Sequence, residues 1–305
     1  MTVRSIINGY KNEQRLDQTG QTSPQLQDYL ACVNEWTKQG LITPTDSILF
    51  ETDKGFIGGI CFCEQSPTTL RILNFTVDKI TFSTYKLILD AINQAKRPQT
   101  QKIIYNLYSD EPNYNAIIKL FERANFAVAQ HKHRYTYNAK KLLTTSNNSN
   151  MIFKNVLETG EKLFIETVRK VTQNTLDKIM LEDAQIMGEQ AAAEDYVQQM
   201  KKISFKPSWW RLAYVDGVLV GLILPQAFNQ TEGAINYIGV IPEHRGKGYV
   251  LPLAAEATNL LLKNGISQIY ADIDTANTPL ANALAKLGYF RQLDESVLIN
   301  IVTQI

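Results

Sequence analysis

Two stretches of this 305-residue chain echo one another in the same order. "FETDKGFIGGICF" (Phe50–Phe62) parallels "AYVDGVLVGLILP" (Ala213–Pro225). Each reads as a strand, a turn at Asp53-Lys54-Gly55 or Asp216-Gly217, and a second strand. Gly55 and Gly59 have their counterparts in Gly217 and Gly221, 162 residues on in both cases. Farther along, Asn113–Tyr137 parallels Asn277–Ile301, each with an Asn-started helix, a small-residue exit and a terminal strand. A duplicated chain must fold as two versions of one plan, here a mixed α/β sheet flanked by helices. The length suits two domains of about 150 residues, and 44% apolar residues let both bury a core. "NAKKLLTTSNNSN" (Asn138–Asn150) reads as the linker, because its Ser/Thr/Asn tail buries little and competes for its own backbone. The expected domains are 1–145 and 151–305.

The remaining bulk properties exclude rather than select. A net charge of +1 gives no reason to expect nucleic acid or an anionic membrane as partner. Cys32, Cys61 and Cys63 are odd in number and form no C-x-x-C pair, which suits a reducing cytoplasm. Cys61 and Cys63 read as small buried hydrophobes on one strand face, and no metal site is expected. His131 and His133 share another strand face without a third ligand and read as a solvated pair. No apolar run approaches the roughly 20 residues that span a bilayer, and the N-terminus lacks a signal-peptide core. A cytoplasmic protein is expected.

In the second half, Met151–Leu157 reads as a strand, and Glu161–Met180 and Ala191–Ile203 as helices, from apolar recurrence at Leu163, Val168 and Val171. Trp209–Val215 and Val218–Leu224 form the hairpin. Ala234–Val240 and Ile269–Ile273 are strands. Tyr249–Asn264 and Thr278–Leu287 are helices, and a final strand follows.

The most chemically pointed stretch is "GVIPEHRGKGYV" (Gly239–Val250). A strand runs into a basic, glycine-spaced turn and then a helix. The first turn of a helix has N–H groups without intrahelical partners and a partial positive charge. Gly246 and Gly248 let the backbone bend and come close to a ligand, while Arg245 and Lys247 add cations. Pro252 is tolerated only near a helix start, so it pins that start near Gly248 or Tyr249. Such a turn is built for an anion, most naturally phosphate. It is neither a Walker loop, which needs G-x-x-x-x-G-K-[ST], nor a dinucleotide fingerprint, since Leu251 stands where the third glycine belongs.

Val240-Ile241-Pro242-Glu243-His244-Arg245-Gly246-Lys247-Gly248-Tyr249-Val250 resembles the pyrophosphate-binding segment of the GNAT superfamily of acyl-CoA N-acyltransferases. The one departure is Val250, where the family has Gly or Ala. Asn277…Gly288-Tyr289 is similar to a second family motif. The resemblance covers about residues 151–305, and the first half, with no Arg-Gly-x-Gly in Arg71–Ala91, reads as a degenerate copy that shapes or covers the active half. The resemblance implies that acetyl-CoA is the co-substrate, its pyrophosphate on the amides of Lys247, Gly248, Tyr249 and Val250 beside Arg245 and Gly246. Its pantetheine arm would lie along Ile238 and Val240 as an added strand, with Gly239 leaving room and Asn277 opposite.

The implied reaction is direct attack of a primary amine, on a small molecule or peptide, in a ternary complex. A lysine-like amine has a pKa near 10.4, so keeping it neutral at pH 7 costs about 4.6 kcal/mol, whereas a thiolate from a thiol of pKa about 8.5 leaves without a proton donor. A base therefore matters more than an acid. The family's Glu position is Ala234 here, and Glu232, on the same strand face, is the leading base candidate, against an exposed turn carboxylate. Tyr237 is the weaker candidate, against a core role. Asp272 and Asp274 would line a site for a cationic amine, against a solvated strand end. Leu284 stands at the family's acid position, leaving Tyr289 or water to substitute, or no acid. His244 reads as a loop residue. Trp209 and Trp210 stand near the acceptor side, one of them as core. Two other readings stay open: a coenzyme A-binding or sensor protein without catalysis, and a coenzyme A enzyme of different acyl group or acceptor. The tandem halves can act as a pseudo-dimer.

Overall fold

The computed structural model describes residues 2–5, 24–52, 55–138, 141–144 and 150–302. The turn residues Asp53 and Lys54 and most of the linker segment 138–150 lie outside them. The chain forms two compact units, Met1–Ala129 with Ser296–Ile305, and Gln130–Glu295. The limits differ from a simple division at the linker. The strand that closes the first half of the sequence belongs mainly to the second unit, and the end of the last strand belongs to the first.

The first unit orders β1 (Thr2–Ser5), α1 (Pro24–Lys38), β2 (Ser47–Thr52), β3 (Gly55–Ser66), β4 (Thr69–Val77), α2 (Thr84–Ala95), β5 (Lys102–Tyr108) and α3 (Tyr114–Arg123). β1 to β4 pair antiparallel in sequence order and β4 pairs parallel with β5. Its core joins Ile48, Phe50, Ile60, Phe62, Ile88, Ile103, Phe121 and Leu298.

The second unit takes β6 (Ala127–Tyr137) from Gln130 onward, then β7 (Met151–Asn155), α4 (Val156–Thr159), α5 (Glu161–Thr172), α6 (Lys178–Met187), α7 (Glu189–Ser204), β8 (Arg211–Val215), β9 (Val218–Ala227), β10 (Glu232–Val240), α8 (Val250–Lys263), β11 (Gln268–Asp274), α9 (Thr278–Lys286) and β12 (Phe290–Ile301) up to Glu295. β7 to β10 pair antiparallel in order, β10 pairs parallel with β11, and β11 antiparallel with β6. Buried Leu253, Ala254, Ala257 and Leu261 recur at helical spacing and seat α8 on this sheet.

Each half of the sequence thus repeats four antiparallel strands, a helix, a parallel strand, a helix and a last strand. The duplication reaches a finer detail. β4 carries one extra residue at Leu73, where the register passes from Cys61↔Asn74 to Phe62↔Ile72. β10 carries one at Asn236, where Tyr237↔Leu224 and Ile235↔Pro225 flank it. In each unit the strand after the bulge parts from its parallel neighbour, since pairing ends at Ile72↔Tyr105 and at Ala234↔Tyr270.

The two openings then differ. In the first unit Phe75 on β4 and Tyr105 on β5 both pack on Phe121 of α3, Phe75 edge-on with ring centres 5.1 Å apart and Tyr105 tilted at 4.7 Å. Residues 78–83, which lead into α2, contain no glycine, and the Thr84 hydroxyl accepts from the Thr81 amide before the helix. Cys61 is buried, which pushes its thiol up to about 12, and Cys63 is half-buried. His133 is not a free solvated partner of His131: its Nδ1 lies 2.9 Å from Asp294. Among the described residues no group of three His, Cys, Asp or Glu can hold a metal, and no helix is long and apolar enough to cross a membrane.

Candidate functional site

The basic turn has the geometry its glycines require. β10 ends at Val240, a short 3-10 helix spans Pro242–His244, and α8 begins at Val250. Gly246 and Gly248 have φ of 76° and 80°, in the left-handed region that costs a side-chain-bearing residue about 1–2 kcal/mol. Pro252 is the third residue of α8, where the missing N–H breaks no helical bond. Among the described residues, the N–H groups of Gly246, Lys247, Gly248, Tyr249 and Val250 have no acceptor. Five unpaired donors at a helix N-terminus make an anion cradle. The departure at Val250 does not block it, since that residue's contribution is its backbone.

The cradle opens onto a cavity of about 340 Å³. Ile238, Gly239 and Val240 form one wall, and Arg245, Gly246, Gly248, Tyr249 and Val250 the end. Asn277 stands across from them with Pro279 and Leu280. Lys247 is exposed and does not line the cavity. Asn277 Oδ1 accepts the Leu280 N–H at 3.3 Å and caps α9, leaving its Nδ2 without an acceptor among the described residues.

Past Ala234, β10 keeps its pairing with β9 as far as Val240↔Gly221 but has no β11 beside it. The opening is propped at the bulge. Asn236 Nδ2 donates to Gln226 Oε1, Gln226 Nε2 donates to the Met200 carbonyl at 2.6 Å, and Tyr196 donates to the Asn236 carbonyl. Gln226 is fully buried, so its two bonds hold the bulge from inside. A second, smaller cavity of about 70 Å³ occupies the opening, lined by Asn236, Asp177, Asp272, Asp274 and Leu284. Thr175, Tyr237, Ile238, Asn277 and Leu280 line both cavities.

Several residues expected in the site act differently from the expectation. Arg245 lines the cavity, but its guanidinium donates to four carbonyls: Val240 at 3.0 Å, Asn174 at 3.0 Å, Val171 at 2.9 Å and Gln173 at 2.9 Å. Three of these close the C-terminal end of α5, where carbonyls lack partners and a cation is favoured. Arg245 is a clamp from the cradle to that helix end, with one N–H left over. Gly239 does not leave room beside a ligand. A Cβ there would meet Val171 Cβ at 2.7 Å, so it is α5 that fills the space.

Glu232 is a correction. Its Oε1 accepts from the Tyr270 hydroxyl at 2.8 Å and its Oε2 from Asn229 Nδ2 at 2.8 Å, at the start of β10. Eight residues of strand separate it from Val240, about 26 Å at 3.3 Å per residue, and it lines neither cavity. Glu232→Gln is therefore expected to leave any kcat supported by this site, and its pH dependence, within about two-fold, as steady-state rates would read. Tyr289 is a second correction: it is buried, its hydroxyl bonds Thr258 at 2.7 Å, and its ring packs on Tyr137. Trp209 and Trp210 are both core, Trp210 stacked on Phe164, and neither borders the cavities. His244 lines the larger cavity from the turn.

Tyr237 does sit at the junction. Burial pushes its phenol above the ordinary range, helped by the nearby Asp177 carboxylate. The acidic side chains beyond it are not idle. Asp272 holds Arg134 through two 2.7 Å bonds. Asp274 accepts from Gln130 and from the Ala276 amide. Asp177 caps α6 through the Ile179 and Met180 amides.

The segment 173–177 was missed. The expected helix over 161–180 breaks there: Asn174 adopts φ 51°, Thr175 Oγ1 accepts the Asp177 N–H, and Asp177 starts α6. Asn174, Thr175 and Leu176 then wall the larger cavity. The signal was present as an Asn and an Asp spaced for a helix stop and restart.

Residues 176–289 match the model of the acetyltransferase (GNAT) family. A mycothiol acetyltransferase from Thermobispora bispora is 31% identical over 104 residues, which cover 32% of this chain and 35% of that protein. An acetyltransferase from Photorhabdus laumondii is 29% identical over 100 residues, 33% of this chain and 69% of its own length. The chain thus spans about a third of the first curated relative. Among solved structures, a GCN5-related N-acetyltransferase from Sphaerobacter thermophilus superposes with a TM-score of 0.63 at 13% identity, covering 94% of this chain and 88% of that one. A tandem GNAT protein from the clavulanic acid biosynthesis pathway gives 0.54 at 11%, covering 85% and 83%. At such identities the likeness is one of fold, and it extends over most of the chain.

Proposed function

We propose, from the match of residues 176–289 to the acetyltransferase (GNAT) family, that the chain transfers an acetyl group from acetyl-CoA to a primary amine of a small molecule or peptide. The observation that carries this reading is the cavity running from the unpaired amides of Gly246–Val250 to the free edge of β10. A pyrophosphate suits the first and an extended, amide-bearing pantetheine arm the second. Ile238 and Val240 are the backbone partners for that arm, and Asn277 Nδ2 faces the same cavity as a further donor. The smaller cavity, meeting the larger at Tyr237, is the amine's approach.

Direct attack needs a neutral amine. No carboxylate lining the smaller cavity lacks a partner, so the proton leaves to solvent rather than to a dedicated base. Burial around Tyr237 lowers the cost of a neutral amine by penalising the ammonium. The first unit is proposed as a degenerate copy that binds no coenzyme A, since residues 78–83, which lead into α2, supply no glycine for an anion turn. One active site per chain follows.

Leu284, fully buried at the edge of the smaller cavity, stands where the family resemblance implies an acid and favours a second reading. In that reading the protein holds coenzyme A without turnover. Thiol release from acetyl-CoA with a panel of primary amines separates the two. Amine-dependent release supports transfer; acetyl-CoA binding without any release leaves the binding-only reading.

A further inference from the structure

Two distances locate the protons around Tyr237. Thr172 Oγ1 lies 2.9 Å from the carbonyl of Val168, one turn back along α5. A carbonyl only accepts, so the single hydroxyl proton of Thr172 lies in that contact. Tyr237 Oη lies 3.0 Å from Thr172 Oγ1. Two oxygens so close without a proton between them would repel, and Thr172 has no second proton to give. Both contacts are satisfied together only with the tyrosine donating to the threonine. Its oxygen then turns only lone pairs outward, and no other donor among the described residues reaches it. Tyr237 belongs to the walls of both cavities, so a fixed acceptor stands where they meet.

Resting on the acyl-transfer reading above, we propose that Tyr237 is the acceptor that orients the incoming amine, taking one of its N–H groups as a hydrogen bond so that the nitrogen lone pair faces the thioester carbon. Thr172 is the positioning residue that holds the phenol in this role. Tyr237 is neither the proton donor to the leaving thiolate nor a base. In the step itself the nitrogen lone pair forms the N–C bond and the carbonyl π pair moves to oxygen. That pair returns as the C–S bond breaks, and the sulfur leaves with its electron pair. The nitrogen loses one proton to solvent, and the thiolate takes its proton from solvent or leaves as the anion. Tyr237 keeps its own proton throughout.

A substrate class follows. An amine has a nucleophilic lone pair and still has an N–H to donate. An alcohol would offer its one O–H to Tyr237, and becomes a competent nucleophile only by losing that proton to a base, which a phenol already committed as donor to Thr172 does not supply. The site therefore selects N–H nucleophiles over hydroxyls.

The test compares wild type with Tyr237→Phe, Thr172→Val and Thr172→Ser. Thiol release from acetyl-CoA is followed with lysine methyl ester, glucosamine and 2-phenylethylamine, and acetyl-CoA affinity is measured by calorimetry in each protein. Tyr237→Phe is expected to lower kcat/KM for the amine about 10- to 30-fold, the scale of one hydrogen bond, with acetyl-CoA affinity unchanged. Thr172→Val, of the same shape but without an acceptor, frees the phenol proton to point at the nitrogen lone pair and should lower kcat/KM to a similar extent. Thr172→Ser keeps the acceptor and should restore most of the rate. If Thr172→Val matches or exceeds wild type while Tyr237→Phe is impaired, Tyr237 is a proton donor and the proposal is overturned. It is equally overturned if Tyr237→Phe matches wild type. Failure of the wild type to turn over any of the amines while it binds acetyl-CoA would instead remove the transfer reading, and this inference with it.

Discussion

Exchanging Arg245 for lysine is expected to weaken acetyl-CoA binding about 10-fold or more, although the positive charge is kept. The guanidinium holds carbonyls of Val171, Gln173, Asn174 and Val240 through three of its nitrogens. A lysine ammonium has three donors on one atom and no planar fork, so it cannot bridge the end of α5 and the end of β10 together. Each lost bond to a charged donor is worth about 1.5–3 kcal/mol at most, and the exposure of Arg245 lets water replace part of that. A net loss of roughly 1.5 kcal/mol, about a factor of ten, is the moderate expectation. The affinity falls because Asn174 and Leu176 no longer hold the cavity wall against the cradle. Were Arg245 instead only a ligand of the pyrophosphate, Arg245→Lys would weaken binding without lowering the Tm of the ligand-free protein, whereas loss of the clamp lowers both. Calorimetric titration with acetyl-CoA together with a thermal scan of the two ligand-free proteins distinguishes the outcomes.

Gly221→Ala should be costlier to the fold. A Cβ at Gly221 would stand 2.3 Å from the Gly239 carbonyl oxygen and 3.3 Å from Leu253 Cδ1. The first of these is backbone and cannot rotate away. β9 and β10 must separate where Gly239↔Leu222 and Val240↔Gly221 pair. Overpacking of this kind costs about 1–3 kcal/mol, which for a unit of this size lowers its Tm by roughly 2–10 °C. Because the displaced residues are the cavity wall, acetyl-CoA binding should fall with the stability. A Cβ at Gly59, the counterpart of Gly221 in the first unit, would meet the Tyr29 ring at 2.7 Å. Its replacement should destabilise that unit while leaving acetyl-CoA affinity within about two-fold. A thermal scan with calorimetry on both variants checks the contrast.

The cradle was legible in the sequence because its constraints are local. Glycines in the left-handed region, a proline confined to the first helical turn and an approaching strand leave few other geometries. The duplication was legible for a similar reason, as turn glycines and helix starts recur at a nearly fixed offset. Non-local consequences were not. Arg245 advertised charge, but its donors are taken by carbonyls some 70 positions away in the chain,, a partnership no local pattern encodes. Gly239 suggested open space, yet Val171 fills it. Strand alternation puts Glu232 on the face of Ala234, but the direction of β10 puts it at the end of the strand away from Val240. The break at 173–177 was hidden because apolar residues continue in register from Val168 and Val171 into Ile179 and Met180, although α6 has no buried residue. The Thr172–Tyr237 pair joins residues 65 apart and only becomes visible once α5 lies over β10.

The central claim is that the amides of Gly246–Val250 hold the pyrophosphate of acetyl-CoA at one site per chain. Calorimetric titration of the full chain with acetyl-CoA, paired with a Gly248→Pro variant that removes one amide and the left-handed φ of 80° together, tests it most directly. The account predicts saturable binding to wild type near one site per chain at submillimolar concentration, and at least a ten-fold loss of affinity in the variant. Absence of binding to the wild type, or equal affinity in both proteins, would contradict it.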